Sequence, residues 1–151
     1  MIQEDKELLL KDLCARLPYG VYCKGITKEY DGDKDEYIDV EVENTLLELH
    51  NYKCAYGLVG LMNECDITTI KPYLRPMSSM TEEETEEYEQ MIYDEADGCY
   101  NDGRVYYTGN KIINIDDVKK LIDWLLAHHF DFRGLVEKGL AIEAPEDMYK
   151  E

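Results

Sequence analysis

His128, His129 and Asp131 bring two imidazoles and a carboxylate into one short stretch of chain. These are the side chains of general acid–base catalysis and, given a third ligand, of zinc coordination. Adjacent residues on a helix point about 100° apart, so consecutive histidines share no face. No third ligand accompanies them at zinc spacing. An imidazole at a helix C-terminus also has a plainer use, because it meets exposed carbonyls and the negative end of the helix dipole. Helix termination is therefore the favoured role, and His128, His129 and Asp131 are the residues an enzyme would use.

Asp31, Asp33 and Asp35 resemble the start of a calcium loop. The sixth position is Glu36 rather than Gly, and the twelfth is Val42 rather than a bidentate Glu. The run is expected to be a solvated hairpin turn, since Asp and Gly hydrogen-bond locally in turns. The cysteines are Cys14, Cys23, Cys54, Cys65 and Cys99, with no C-x-x-C pair. Cys14 and Cys23 fall on apolar patterns and are expected in the core. Cys99 lies among acidic residues, which disfavour a thiolate. G-x-S-x-G, P-loop and G-x-G-x-x-G strings are all missing from the sequence. No catalytic residue, metal ligand or cofactor is assigned.

From Thr81 to Gly103 the chain holds ten acidic residues and no Lys or Arg. A like-charged run is ordinarily a solvated face. Its sharper use is as a docking surface for a basic protein, with Glu82, Glu83, Glu86, Glu87, Glu89, Asp94 and Glu95 as contact residues. Imitation of a phosphate backbone would further require carboxylates at phosphate spacing. The whole chain agrees in sign: 34 Asp and Glu against 16 Lys and Arg give a formal charge of -18. Such a field repels nucleic acid and anionic membranes and favours a basic protein surface. The longest mostly apolar stretch, Tyr56 to Met62, is too short to span a bilayer, and MIQEDKELLL is acidic where a secretory leader is basic. With an odd number of cysteines, these features predict a cytoplasmic protein with free thiols.

The elements that must position these groups are legible in outline. Leu9, Leu10, Leu13, Cys14 and Leu17 recur at helical steps, and Pro18 with Gly20 ends that helix. Val21 to Ile26 and the alternating Tyr37 to Val42 read as strands, with Thr45 to Leu49, Ala55 to Leu61 and Ile67 to Leu74 as further strands. Thr81 and Glu84 have capping-box spacing for a helix whose inner stripe is Tyr88, Met91 and Ile92, running towards Ala96. Asn101-Asp102-Gly103 marks a turn. Val105 to Tyr107 and Lys111 to Ile113 flank Thr108-Gly109-Asn110 as a hairpin. Asn114 or Asp116 caps a last helix carrying Val118, Leu121, Ile122, Leu125 and Leu126. Gly134 and Gly139 bracket a final turn, and Asp131, Phe132, Arg133 and Trp124 are placed to seal a helix corner. The prediction is one α+β domain over 1–151, β-rich over about 19–77 and helical with a hairpin over about 78–151. It has an N-terminal helix, a curved antiparallel sheet or small barrel, an acidic helix, a hairpin and C-terminal helices.

Three strings carry a resemblance: LLLKDLCARLPYGV (Leu8 to Val21), IKPYLRPMSSMTEEE (Ile70 to Glu84) and DWLLAHHFDFRGLVEKGLAIEAPEDMY (Asp123 to Tyr149). Together they resemble a family of uncharacterised small proteins of gut bacterial genomes and their phages or other mobile elements. That family has no established activity, cofactor or catalytic residue, so no functional position is carried over. The resemblance implies an intracellular accessory protein of mobile-element origin. The composition adds the expectation of a non-catalytic interaction protein.

Overall fold

A computed structural model of the chain describes residues 2–47, 67–101, 104–110 and 115–149. Helix α1 (Gln3–Arg16) opens the fold, with Glu4 and Asp5 in its first turn and Asp5 Oδ2 accepting the Ile2 amide at 3.3 Å. Leu9 and Leu13 are fully buried, as their spacing predicts. Each burial is worth about 1.5–3 kcal/mol. The rest of the stripe departs from expectation. Leu10 and Leu17 are half-buried, and Cys14 is exposed rather than core. The series from Leu9 at helical steps runs through Asp12, Leu13 and Arg16, and both charged residues are fully buried. They can face the core because they neutralise each other: Arg16 Nε donates to Asp12 Oδ2 at 2.7 Å.

A tight turn over Leu17–Tyr19 carries Pro18 out of α1. Gly20 follows at φ +72, a left-handed angle that favours glycine. Strands β1 (Tyr22–Asp31), β2 (Glu36–Leu46) and β3 (Lys71–Leu74) come next. They are followed by helix α2 (Glu82–Ile92), strands β4 (Tyr93–Asn101) and β5 (Arg104–Asn110), helix α3 (Ile115–Ala127) and strand β6 (Ile142–Glu143). The aspartate run is the β1–β2 turn: Asp31 Oδ1 accepts the Asp33 amide at 3.1 Å, and Asp35 adopts φ +55. Thr45 and Leu46 belong to β2 rather than to a separate strand, because Asn44 at φ +51 absorbs a kink without ending the pairing. Leu47 then drops into the core at 2% exposure. Ile67 to Thr69 form a helical turn, so only Lys71 to Leu74 is strand. The expected strand Ala55 to Leu61 and the cap Asn114 lie outside the described residues.

The α+β class is as expected, with an open, curved sheet in the order β2-β1-β3-β6 rather than a closed barrel. It is mixed, since β6 pairs parallel to β3, Tyr73 opposite Ile142. The second hairpin sits earlier than predicted. The acidic helix stops at Ile92, and β4 and β5 pair antiparallel, Tyr93 with Asn110 and Asn101 with Arg104. Thr108-Gly109-Asn110 therefore lies in strand β5, and Lys111 to Ile113 lie outside the described residues. Strand pairing from Tyr93 onward overrides the helical stripe expected to reach Ala96. The core joins Leu9 and Leu13 of α1 to Val21, Cys23, Ile70 and Leu74, and to Leu135, Leu140 and Ala141 near the C-terminus. Both compositional halves thus share it.

Candidate functional site

A two-lobed cleft, about 470 Å³ on one side and about 610 Å³ on the other, opens where β3, α2, α3 and the C-terminal segment meet. Arg75, Glu84 and Tyr149 line both lobes. One extends along Pro76, Ser79 and Thr81 to Glu143 and Glu146, and the other along Tyr19, Tyr22, His128 and His129.

Arg75, one residue beyond β3, holds the centre. Its Nη1 and Nη2 each donate to Glu84 at 2.7 Å, and Nη2 also reaches the Ser79 carbonyl at 3.1 Å. Its guanidinium lies 4.4 Å over the Phe130 ring, and its backbone joins residues 129–131 through Arg75 N to His129 O (2.9 Å) and Asp131 N to Arg75 O (2.7 Å). Glu84 is placed by the predicted capping box: Thr81 N donates to Glu84 Oε2 at 2.9 Å, and Glu84 N to Thr81 Oγ1 at 3.1 Å. Hydrogen bonds from Arg75 hold the Glu84 carboxyl down at about 2, against the opposing effect of burial.

The end of α3 supplies the histidines. His129 takes φ +59 at the position where a helix usually closes on glycine, and its amide bonds Leu126 O while Phe130 N bonds Leu125 O. That geometry lays the imidazole on Tyr149, ring centroids 3.7 Å apart and 16° from parallel. Burial, reinforced by the charges of Arg16 and Arg75, lowers its pKa to about 4, so the ring is neutral near pH 7. His129 is 6% exposed, and its Nδ1 is sealed without a hydrogen-bond partner. His128 Nδ1 lies 2.9 Å from the Trp124 carbonyl. A carbonyl only accepts, so Nδ1 is the donor in this contact. Tyr149 O–H donates to Tyr73 O at 2.8 Å and accepts from Tyr22 N at 3.1 Å, tying the C-terminal segment to β1 and β3. Burial pushes its pKa up.

The chain matches no known family model, no curated protein and no solved structure.

His128 and His129 do meet in a cleft, but Asp131 is not their partner. Both its carboxylate oxygens accept backbone amides, from Leu135 and Val136 at 2.8 Å each, so it caps the following turn. The corner residues pack as expected: Arg133 lies over Phe132 at 4.6 Å, and Trp124 stacks near Phe130 at 5.6 Å. Glu82, Glu83, Glu86 and Glu87 are exposed along α2, and Glu89 is half-buried. Glu87 accepts Trp124 Nε1 at 3.0 Å, which steadies the helix on α3. Asp94 and Glu95 are not on the helix. They open β4, opposite Gly109 and Tyr107. Among the described residues no group of acidic, His and Cys side chains is arranged to hold a metal, and no helix is long and apolar enough to cross a membrane.

Arg75 and Tyr149 carry no local sequence signal for a site. Arg75 looks like part of a proline-flanked exit from a strand, and Tyr149 like one tyrosine among thirteen. Of these three, Glu84 alone carries a sequence signal, as the partner of Thr81 in a capping box.

Proposed function

We propose that this protein is a non-catalytic interaction protein, an accessory factor of mobile-element origin, that docks a basic protein surface on the outer face of α2. The observation that carries this is the contrast along the helix. Glu84 faces inward and is clamped by Arg75, while Glu82, Glu83 and Glu86 point outward and form no ion pair among the described residues. Their helix is pinned by its capping box and by the Glu87–Trp124 bond, so the carboxylates are presented on a rigid support at low ordering cost.

The test is retention of a basic partner on the immobilised protein at two salt concentrations. Binding should weaken by at least about tenfold between about 50 and 200 mM salt, and Glu82→Lys with Glu83→Lys and Glu86→Lys should abolish it. Retention that ignores both salt and the triple reversal would overturn the proposal.

An enzymatic role is the second reading, favoured by the meeting of His128 and His129 in one cleft. It lacks an activated nucleophile among the described residues. Ser79 Oγ donates to the Pro76 carbonyl at 2.8 Å, and the Tyr149 hydroxyl is committed on both sides.

A further inference from the structure

We infer that the outer edge of β2 takes an added β-strand from a basic partner protein, an interaction surface separate from the face of α2.

The backbone supplies the first argument. β2 is an outer strand: β1 pairs along one side of it, and among the described residues no strand pairs with the other. In an antiparallel ladder every second residue turns its N–H and C=O away from the neighbour, so such an edge is a row of open donors and acceptors. The opposite outer strand, β6, is guarded by its length of two residues. β2 runs for eleven and contains no proline. Its regular pairing with β1 spans Glu36 to Val42; beyond that the register shifts, and Asn44 stands at φ +51. The open edge is therefore the stretch from Glu36 to Val42.

Its side chains choose the partner. Tyr37, Asp39 and Glu41 are exposed on one face, and Ile38, Val40 and Val42 are half-buried on the other, where Val42 packs against the core. Edge strands commonly carry lysine to ward off pairing. β2 carries Glu36, Asp39, Glu41 and Glu43 and no Lys or Arg, so its charge wards off one sign only. A second copy laid antiparallel on this edge would set carboxylate against carboxylate, which destabilises a strand pair, whereas cations opposite stabilise it. Lys24 pairs with Glu41 and Glu43, while Glu36 and Asp39 form no ion pair among the described residues. With eight acidic residues and three lysines over Tyr22 to Leu46, the hairpin stays anionic after its internal pairing. Tyr37, 70% exposed on the same face as Asp39, adds an aromatic surface for a cation. The occupant is thus an extended segment with Lys or Arg at every second position and Val, Ile or Thr between, continuing the Ile38, Val40 and Val42 row on the other face.

The full chain, isotope-labelled, is titrated with the peptide acetyl-KVKTKVKTK-amide, following β2 amide shifts and hydrogen exchange by NMR. Saturable shifts along Glu36 to Val42 are expected, with slowed exchange at every second amide there. Two N-methylated peptides decide the mode, one blocked at its lysine amides and the other at its Val and Thr amides. Strand addition uses one edge of the peptide, so one of the two should bind at least about tenfold more weakly and the other as the parent does. Glu36→Lys with Asp39→Lys, both at exposed positions, should weaken the parent peptide by at least about tenfold. Glu82→Lys with Glu83→Lys and Glu86→Lys should spare it. Tolerance of both methylated peptides overturns the inference, as does loss of binding on the α2 reversal with none on the β2 reversal. Slow exchange of the open-edge amides in the peptide-free chain also overturns it: slowing that persists on dilution means that the chain covers its own edge, and slowing that fades means that a second copy does.

Discussion

Two corners near the C-terminus close in the same way and use different residues to do it. At the first, His129 N bonds Leu126 O and Phe130 N bonds Leu125 O, with His129 at φ +59. At the second, Gly139 N bonds Val136 O and Leu140 N bonds Leu135 O, with Gly139 at φ +68. Glycine takes the left-handed conformation freely, whereas a side chain there costs about 1–2 kcal/mol. The second corner is a simple stop, and a Cβ built on Gly139 would meet nothing within 4 Å. At the first corner the strained side chain is held by what surrounds it. Tyr149 stacks on the ring, Arg75 binds the backbone, and Arg16 Nη2 donates to the Phe130 carbonyl at 2.7 Å. The first corner is over-determined by its neighbours, which is how a strained backbone persists there, and it forms a wall of the cleft.

The largest blow to the first corner comes from below. Arg16→Ala should destabilise by about 3–5 kcal/mol, because it removes a partner from buried Asp12, leaving Arg133, and strips the Phe130 carbonyl. Urea unfolding reads this. A loss under about 1 kcal/mol would mean that the corner does not depend on the buried network.

Acid should come next. Folded His129 titrates near 4 against 6.5 for a free imidazole, so between those values the unfolded chain binds a proton that the folded chain refuses. Stability is full above that window and falls as the pH drops through it, by about 3 kcal/mol in all. Glu84 extends the loss: its folded pKa of about 2 lies below the ordinary 4.5, so its stabilisation is present above 4.5 and disappears towards 2. His129→Asn, which tolerates the left-handed backbone, should flatten the upper limb and spare the lower. An upper limb that survives His129→Asn would assign it to another group.

Gly139→Ala should cost about 1–2 kcal/mol, from the backbone angle alone, since space is free. A neutral result in thermal unfolding would show that the second corner relaxes. The smallest effect belongs to His129→Gly, where relief of strain of about 1–2 kcal/mol offsets the lost stacking on Tyr149, for a net change within about 1 kcal/mol. Near-UV dichroism of Tyr149 should still change. Strong stabilisation with an unchanged spectrum would show that the imidazole holds nothing.

The same corners show how far local sequence reaches. Gly139 and the Thr81–Glu84 box are legible because the residues that satisfy each other are close in the chain. His129 as a helix end was legible too, but not that it would be left-handed and buried. Periodicity predicts Cys14 inside α1 and leaves Asp12 and Arg16 unassigned. The structure reverses this, because Arg16 and Asp12 find partners in Phe130 and Arg133, far along the chain. The acidic stretch is visible as composition, yet its division into an outward helix face and a β4 strand depends on pairing with β5.

By itself, then, the sequence determined the class of the fold, the first helix and its proline stop, the aspartate turn, the helix cap and the sign of the field around the molecule. These follow from intrinsic conformational preference, short-range hydrogen bonds and net charge, which need no knowledge of distant neighbours. The tertiary structure alone decided that β6 lies parallel to β3, that an ion pair completes the α1 stripe, and that Arg75, Glu84, His128 and Tyr149 line one cleft. Each of those depends on which distant groups meet, and in a closely packed interior that choice belongs to the whole chain at once.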